Sequence, residues 1–258
     1  MSDGAFVRSL ERGLLVIRAL SAPEPQGLSD VARTTGLSRA AARRFLLTLE
    51  QLGYVRQAGG RFALTPRTLE LGYAYLSGLT LPEVVQPHLE ALAARVHESS
   101  SVSILEGDEI VYVARVPVGR IMRVSISVGT RFPAYATSMG RVLLAGLPEE
   151  ELEARLAGAD LRELTSRTIT SAPRLREEIA RVRAQGYALV DEELEAGLRS
   201  IAAPIRDKRG AVVAAVNLSA HAPRTTVAAL RRDLLPPLRE TATAVEHDLA
   251  AGQGQSLP

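Results

Sequence analysis

Apolar residues recur at helical spacing from Phe6 to Ala22, where Val7, Leu10, Leu14, Ile17 and Leu20 form a stripe. Ala22-Pro23-Glu24-Pro25 ends that pattern, because proline cannot continue a helix. Ser29 to Thr35 reads as a short second helix capped by Ser29, and Gly36 supplies a turn residue tolerant of positive φ. Ser38 can cap a third helix in which Ala42, Phe45, Leu49 and Leu52 return on one face toward a core. Gly53 stops it. Tyr54-Val55 starts a strand, Ala58-Gly59-Gly60 makes a turn, and Arg61 to Leu64 returns. The segment Leu28 to Thr65 is therefore predicted as helix, turn, helix and hairpin. That is a winged helix-turn-helix, which sets its second helix in the DNA major groove.

The pattern then changes. Pro66 to Ser77 predicts a connecting helix, and Ser77-Gly78 with Leu81-Pro82 marks a boundary. A helix over Leu81 to Glu98 follows, then strands over Ser101 to Leu105 and Ile110 to Val116 about a Glu106-Gly107-Asp108 turn. Ile121 to Val128 alternates as a further strand. Helices are predicted over Thr137 to Leu147, Pro148 to Leu156 and Arg174 to Gln185, and a short strand over Tyr187 to Val190. Ile201 to Ile205 and Val212 to Leu218 flank Asp207-Lys208-Arg209-Gly210, a hairpin turn. A long helix from Thr226 to Leu249 should bend near Pro236-Pro237. Hairpin-linked strands with helices between them predict an antiparallel sheet covered by helices, so the fold class is α+β. The expected division is residues 1–65 for DNA binding, 66–80 as a linker helix, 81–250 as an effector-binding and oligomerisation domain, and 251–258 as a flexible tail.

Charge sharpens the first part. Residues 1–67 carry 10 Arg against 5 acidic residues, whereas the other 191 carry 21 basic and 24 acidic ones, so a formal net charge of +2 hides a basic front end. DNA binding needs such localised charge, because phosphate contacts release counterions. On the third helix Ser38, Arg39, Ala40, Arg43, Arg44 and Thr48 fall largely off the apolar face, and short alanines between arginines permit close approach to DNA. In the hairpin Arg56 and Arg61 suit backbone or minor-groove contact. A solvated helix face is the plain alternative for these arginines.

Other chemistry is sparse. The 258 residues include no cysteine, which removes disulfides and thiol catalysis. His88, His97, His221 and His247 lack metal-ligand spacing, and no P-loop, dinucleotide fingerprint or Gly-x-Ser-x-Gly elbow is present. No metal, cofactor or catalytic residue is expected. Glu149-Glu150-Glu151 fits the dipole preference of a helix start, and Asp191-Glu192-Glu193 can orient a loop. No apolar run reaches the ~18 residues of a membrane span. The opening MSDGAFVRSLERG lacks the apolar core of a signal peptide, so a cytoplasmic protein without membrane contact is expected.

The chain resembles the IclR-type bacterial transcriptional regulators. The resemblance runs from about Phe6 to Leu249 and rests on the N-terminal domain together with PAYATSMGRVLLAGLP (Pro133 to Pro148) and GYALVDEELEAGLRSIAAPIRDKRGAVVAAVNLSAHAPR (Gly186 to Arg224). The wording of these motifs is similar to the Pca/Pob branch, which governs breakdown of protocatechuate, hydroxybenzoate and related aromatics through the β-ketoadipate pathway. The resemblance implies a GAF-like effector domain, a double-stranded DNA operator, a small organic acid as effector, and a homodimer or homotetramer. It carries the effector site onto Ser138, Met139, Val190, Asp191, Ser200, Asn217 and Ser219. The physics is compatible: Thr137 or Ser138 can cap a helix whose free N–H groups bind a carboxylate, Gly140 lets a ligand approach, and Asn217 and Ser219 alternate onto one side of a strand. Ser138 as a plain cap and Asn217 as partner of a buried backbone group remain alternatives. Arg123, Arg141 and Arg199 are carboxylate partners or surface salt bridges, with a helix surface the cheaper explanation for Arg141. Val190 and Asn217 stand where relatives have aspartate and serine. A regulator of another small-acid pathway, or an enzyme acting on small acids, is the competing reading.

Overall fold

The computed structural model describes residues 6–22, 24–70, 81–118 and 126–252. The chain divides into two compact units, Met1–Leu79 and Thr80–Pro258.

In the first unit α1 (Arg8–Ala19), α2 (Leu28–Thr35) and α3 (Arg39–Gln51) are followed by β2 (Val55–Ala58) and β3 (Arg61–Leu64), and β1 (Gln26–Gly27) adds a third strand beside β3. This is the predicted winged helix-turn-helix. Gly36 at the C-cap of α2 has φ 68° and Gly60 in the wing turn φ 76°, a region where glycine avoids the Cβ clash. Ser38 caps α3 as expected, its Oγ accepting from Ala41 N at 3.2 Å. Ser29 does not cap α2. The helix starts one residue earlier, and the Asp30 carboxylate accepts from Gly27 N at 3.3 Å. The core is Val16, Leu20, Val31, Ala32, Ala42, Leu46, Leu49, Val55 and Phe62. Two predicted stripes shift. Leu46 takes the buried place on α3, while Phe45 is half-buried and Leu52 exposed. On α1 and its flanking residues Val16 and Leu20 face inward, whereas Phe6, Val7, Leu10 and Leu14 are exposed. The helix predicted over 66–77 begins at residue 68, and most of it lies outside the described residues.

The second unit is a six-stranded antiparallel sheet in the order β6-β5-β4-β9-β8-β7, which makes the whole α+β. Its strands are β4 (Ser99–Glu106), β5 (Glu109–Val116), β6 (Arg131–Pro133), β7 (Ala188–Asp191), β8 (Leu198–Arg206) and β9 (Val212–His221). One face is covered by α4 (Leu81–Val96) and the C-terminal α8 (Leu235–Gly252). The other carries α5 (Ser138–Ala145), with α7 (Ala172–Gln185) packed behind it; α6 (Glu149–Ala157) lies against α7. Of the strand predicted over 121–128, residues 121–125 lie outside the described residues, and 126–128 are not in a strand. The helix predicted from Thr226 begins as a short turn, Val227–Ala229, and its regular part runs from Leu235 through both prolines. A π-helical turn, Leu230–Leu234, stands just before Pro236-Pro237, whose missing N–H groups deprive the preceding carbonyls of their usual partners.

Candidate functional sites: a basic helix with a wing, and a polar sheet face

Every predicted DNA-facing residue lies on the surface of the first unit. Ser38, Arg39, Ala40, Arg43, Arg44 and Thr48 are exposed along α3. Arg39, Arg43, Arg44 and Arg56 have no ion pair or side-chain hydrogen bond among the described residues, so their guanidiniums are open to an incoming phosphate or base edge. Thr48 is partly committed, its Oγ1 donating to Arg44 O at 2.9 Å. Arg56 and Arg61 stand on either side of the wing turn. Arg61 has a second task, because Nη1 donates to Pro25 O at 3.1 Å and ties the wing to the chain entering β1.

In the second unit the register decides which predicted residues meet. Directly paired residues of an antiparallel sheet share a face. One row runs Val190, Ser200, Ser219, Ser99 across β7, β8, β9 and β4; the next runs Ala202, Asn217, Ser101, Arg115; a third runs Pro204, Ala215, Ser103, Tyr112. All three rows face α5, whose Met139 Sδ accepts from Ser103 Oγ at 3.2 Å. Met139, Val190, Ser200, Asn217 and Ser219 are thus gathered, all buried, and Ser138 is buried at the start of α5. A core face carrying Ser99, Ser101, Ser103, Ser200, Asn217 and Ser219 is unusual, since each buried hydroxyl or amide needs a partner.

Two partners are missing. Ser138 Oγ and Asn217 Oδ1 are buried without a hydrogen bond. In the structure neither atom serves as a helix cap or as the partner of a buried backbone group. Thr137 caps α5, accepting from Gly140 N at 3.0 Å, and leaves Ser138 with no capping task. Asn217 Nδ2 donates to Ser219 Oγ at 3.2 Å, so the amide bonds no backbone group.

Asp191 does not join this face. Strand alternation turns it away from Val190, and it pairs with Arg199 in register, accepts from Arg199 Nε, and holds Arg167 at 2.6 Å. Arg199 is fully used there, donating also to Ala222 O and Thr225 O at 2.8 and 2.9 Å. Arg141 departs most from expectation. It is only 1% exposed, and its guanidinium grips Glu193 through both Nη atoms at 2.8 and 2.5 Å while Nε donates to Tyr135 O at 3.0 Å. Glu193 also accepts from Ile169 N at 3.3 Å, so the pair fastens two loops to α5. Gly140 serves packing and not ligand approach: a Cβ there would lie 2.1 Å from Ala134 O. Arg123 lies outside the described residues.

Arg115 is the residue that sequence reasoning missed. Strict alternation from Tyr112 puts it on the opposite face. However, Val102 pairs with Ala114 and Ser103 with Tyr112, leaving Val113 as a bulge that brings Tyr112 and Arg115 to the same side. Nη1 of Arg115 donates to Ser101 Oγ at 3.1 Å, and burial pushes the guanidinium below its ordinary value. Among the described residues it has no carboxylate partner. A small cleft lined by Val142, Gly146, Val182, Arg183 and Arg206 lies at the other end of α5 and carries no part of this polar set. The described residues contain no group of three or more acidic or histidine side chains that could hold a metal, and no helix among them is long and apolar enough to cross a membrane.

An exposed basic helix with a wing, in one chain with an α+β domain, is the make-up of a ligand-responsive DNA-binding regulator. The comparisons agree. Residues 9–59 match the IclR helix-turn-helix domain and residues 73–247 the C-terminal domain of bacterial transcriptional regulator IclR. The chain belongs to the IclR family of bacterial transcriptional regulators. It is 44% identical over 249 residues to the Pca regulon regulatory protein of Pseudomonas putida, covering 96% of this chain and 86% of that one. A crystal structure from Rhodococcus sp. RHA1, of a protein assigned to transcriptional regulation, is 61% identical with a TM-score of 0.86, covering 96% and 100% of the two chains. An IclR homologue from Microbacterium hydrocarbonoxydans, solved in complex with 4-hydroxybenzoate, is 28% identical with a TM-score of 0.82, covering 93% and 98%.

Proposed function

We propose that this protein is a cytoplasmic, sequence-specific regulator of aromatic-acid catabolism, controlled by a small organic acid of the protocatechuate, 4-hydroxybenzoate or β-ketoadipate kind. The observation that carries the effector half is the buried polar face of β4, β8 and β9, where Asn217 Oδ1 has no partner among the described residues, with a second unpartnered atom, Ser138 Oγ, buried at the start of α5. Its relatives support the pathway: one regulates a Pca regulon, and another was solved with 4-hydroxybenzoate. The α3 arginines read the operator and the wing contacts its backbone. Val190, Ser200 and Ser219 line the effector site; Asp191 acts outside it, as an ion-pair partner of Arg199 and Arg167. The protein works as a homodimer or homotetramer. The exposed apolar stripe of Phe6, Val7, Leu10 and Leu14 favours association, since such a stripe on a helix is costly in water. A dimer would offer two α3 helices to half-sites about one or more helical turns apart.

Duplexes selected from a random pool, titrated with the full chain by fluorescence anisotropy with and without each acid, test this. One selected sequence should outcompete scrambled DNA, and one acid should shift its affinity at least severalfold. Equal affinity for all duplexes would overturn sequence-specific reading, and indifference to every acid would overturn the effector class.

A further inference from the structure

The second unit commits its other buried arginines. Arg141 is neutralised by Glu193, and Arg199 by Asp191. Arg115 alone among the arginines of the described sheet faces the polar rows, and among the described residues its side chain has only a neutral hydroxyl as partner. A guanidinium has five N–H donors, and a half-buried cation without a counter-charge is costly. The bulge at Val113 adds to the argument, because it breaks the β4–β5 ladder at the point that turns this cation toward Ser101 and Asn217.

Resting on the reading of this unit as an effector domain, we propose that Arg115 is the anchor for the effector's carboxylate, and that the acid lies across β5, β4 and β9 from Arg115 toward Asn217. Arg115, Ser101 and Asn217 are paired in one row, so the outer two backbones stand about 10 Å apart at the usual strand spacing. After the arginine side chain takes its share, the remaining span suits an acid with one ring, or a chain of similar length, between its carboxylate and a far polar group. The carboxylate forms the two-pronged pair that a guanidinium favours. A hydroxyl at the far end can donate to the orphaned Asn217 Oδ1. The ligand class is therefore a hydroxylated small acid, not a two-carbon acid that cannot reach both ends.

Calorimetry on the full chain with 4-hydroxybenzoate and its neutral analogue 4-hydroxybenzamide tests the anchor. The wild type should prefer the acid by roughly 30- to 100-fold. Arg115→Gln should abolish that preference by lowering acid affinity to that of the amide. Arg115→Lys should keep part of it, because it retains the charge without the fork. Acid binding unchanged in Arg115→Gln, or a wild type that takes acid and amide equally, would overturn the anchor while leaving the effector reading intact. If Arg115→Gln does not fold by thermal unfolding, the wild-type preference and Arg115→Lys decide the matter. If the wild type binds no heat-producing acid among 4-hydroxybenzoate, protocatechuate and β-ketoadipate, the effector reading falls, and the anchor with it.

Discussion

Arginine is used in opposite ways in the two units. Among the described residues of the first, only Arg33 and Arg67 are ion-paired, each to an acid three residues away on the surface. Arg8, Arg12, Arg18, Arg39, Arg43, Arg44 and Arg56 have no acidic partner among the described residues. In the second unit Arg131, Arg141, Arg155, Arg176, Arg183 and Arg199 each hold a carboxylate, and several hold backbone carbonyls as well. The pairing in the second unit is architecture. Arg183, for example, closes the C-terminal end of α5 by donating to Ala145 O and Leu147 O at 2.9 and 3.0 Å. The unpaired charge of the first unit repels itself and is relieved when a polyanion arrives, which is the physical content of a DNA-binding surface. Among the described residues Arg174, Arg209 and Arg231 of the second unit are unpaired as well but exposed, whereas Arg115 is half-buried on a polar face without a carboxylate, and that is what marks it as a binding group.

Substitutions can break this contrast in graded steps. The largest effect should come from Glu193→Ala, which strands the Arg141 cation in the core and should cost about 3–5 kcal/mol in denaturant unfolding of the second unit; a loss below about 1 kcal/mol would mean the pair is not structural. Gly140→Ala should cost about 2–3 kcal/mol in the same measurement, because its methyl must displace the Ala134 backbone. Arg56→Ala should leave stability alone and weaken operator and scrambled DNA equally by about 1 kcal/mol, with the salt slope of binding falling by about 1. A change confined to the operator would instead make Arg56 a base reader. At the small end, Arg95→Ala removes a pair with Glu240 in which both side chains are more than half exposed, and should shift unfolding by under about 0.5 kcal/mol.

Local chemistry was the most legible part of the sequence. The Ser38 cap, the positive φ of Gly36 and the wing turn are decided within a few residues, and the structure has them where the residues imply, although the Ser29 cap moved to Gly27. Orientation was harder. Leu10 and Leu14 fit a helical stripe whichever way it faces, and only tertiary packing put Val16 and Leu20 inside. The polar sheet face was half legible. Asn217 and Ser219 share a side by simple alternation, but Val190 and Asp191 cannot both do so, and the pairing of Val190 with Ser200 settles which one does. Arg115 was hidden by a single bulged residue that inverts the alternation. Arg141 was hidden because its partner is 52 positions away, which no local pattern reveals.

The central claim is that the unpaired arginines of α3 read DNA sequence. The most direct test is the affinity of Arg43→Ala and Arg44→Ala for a selected operator duplex and for a scrambled one, at fixed salt. At least one variant should lose roughly 10- to 100-fold on the operator and much less on scrambled DNA, with 4-hydroxybenzoate binding unchanged. Wild-type operator affinity in both variants would contradict the account.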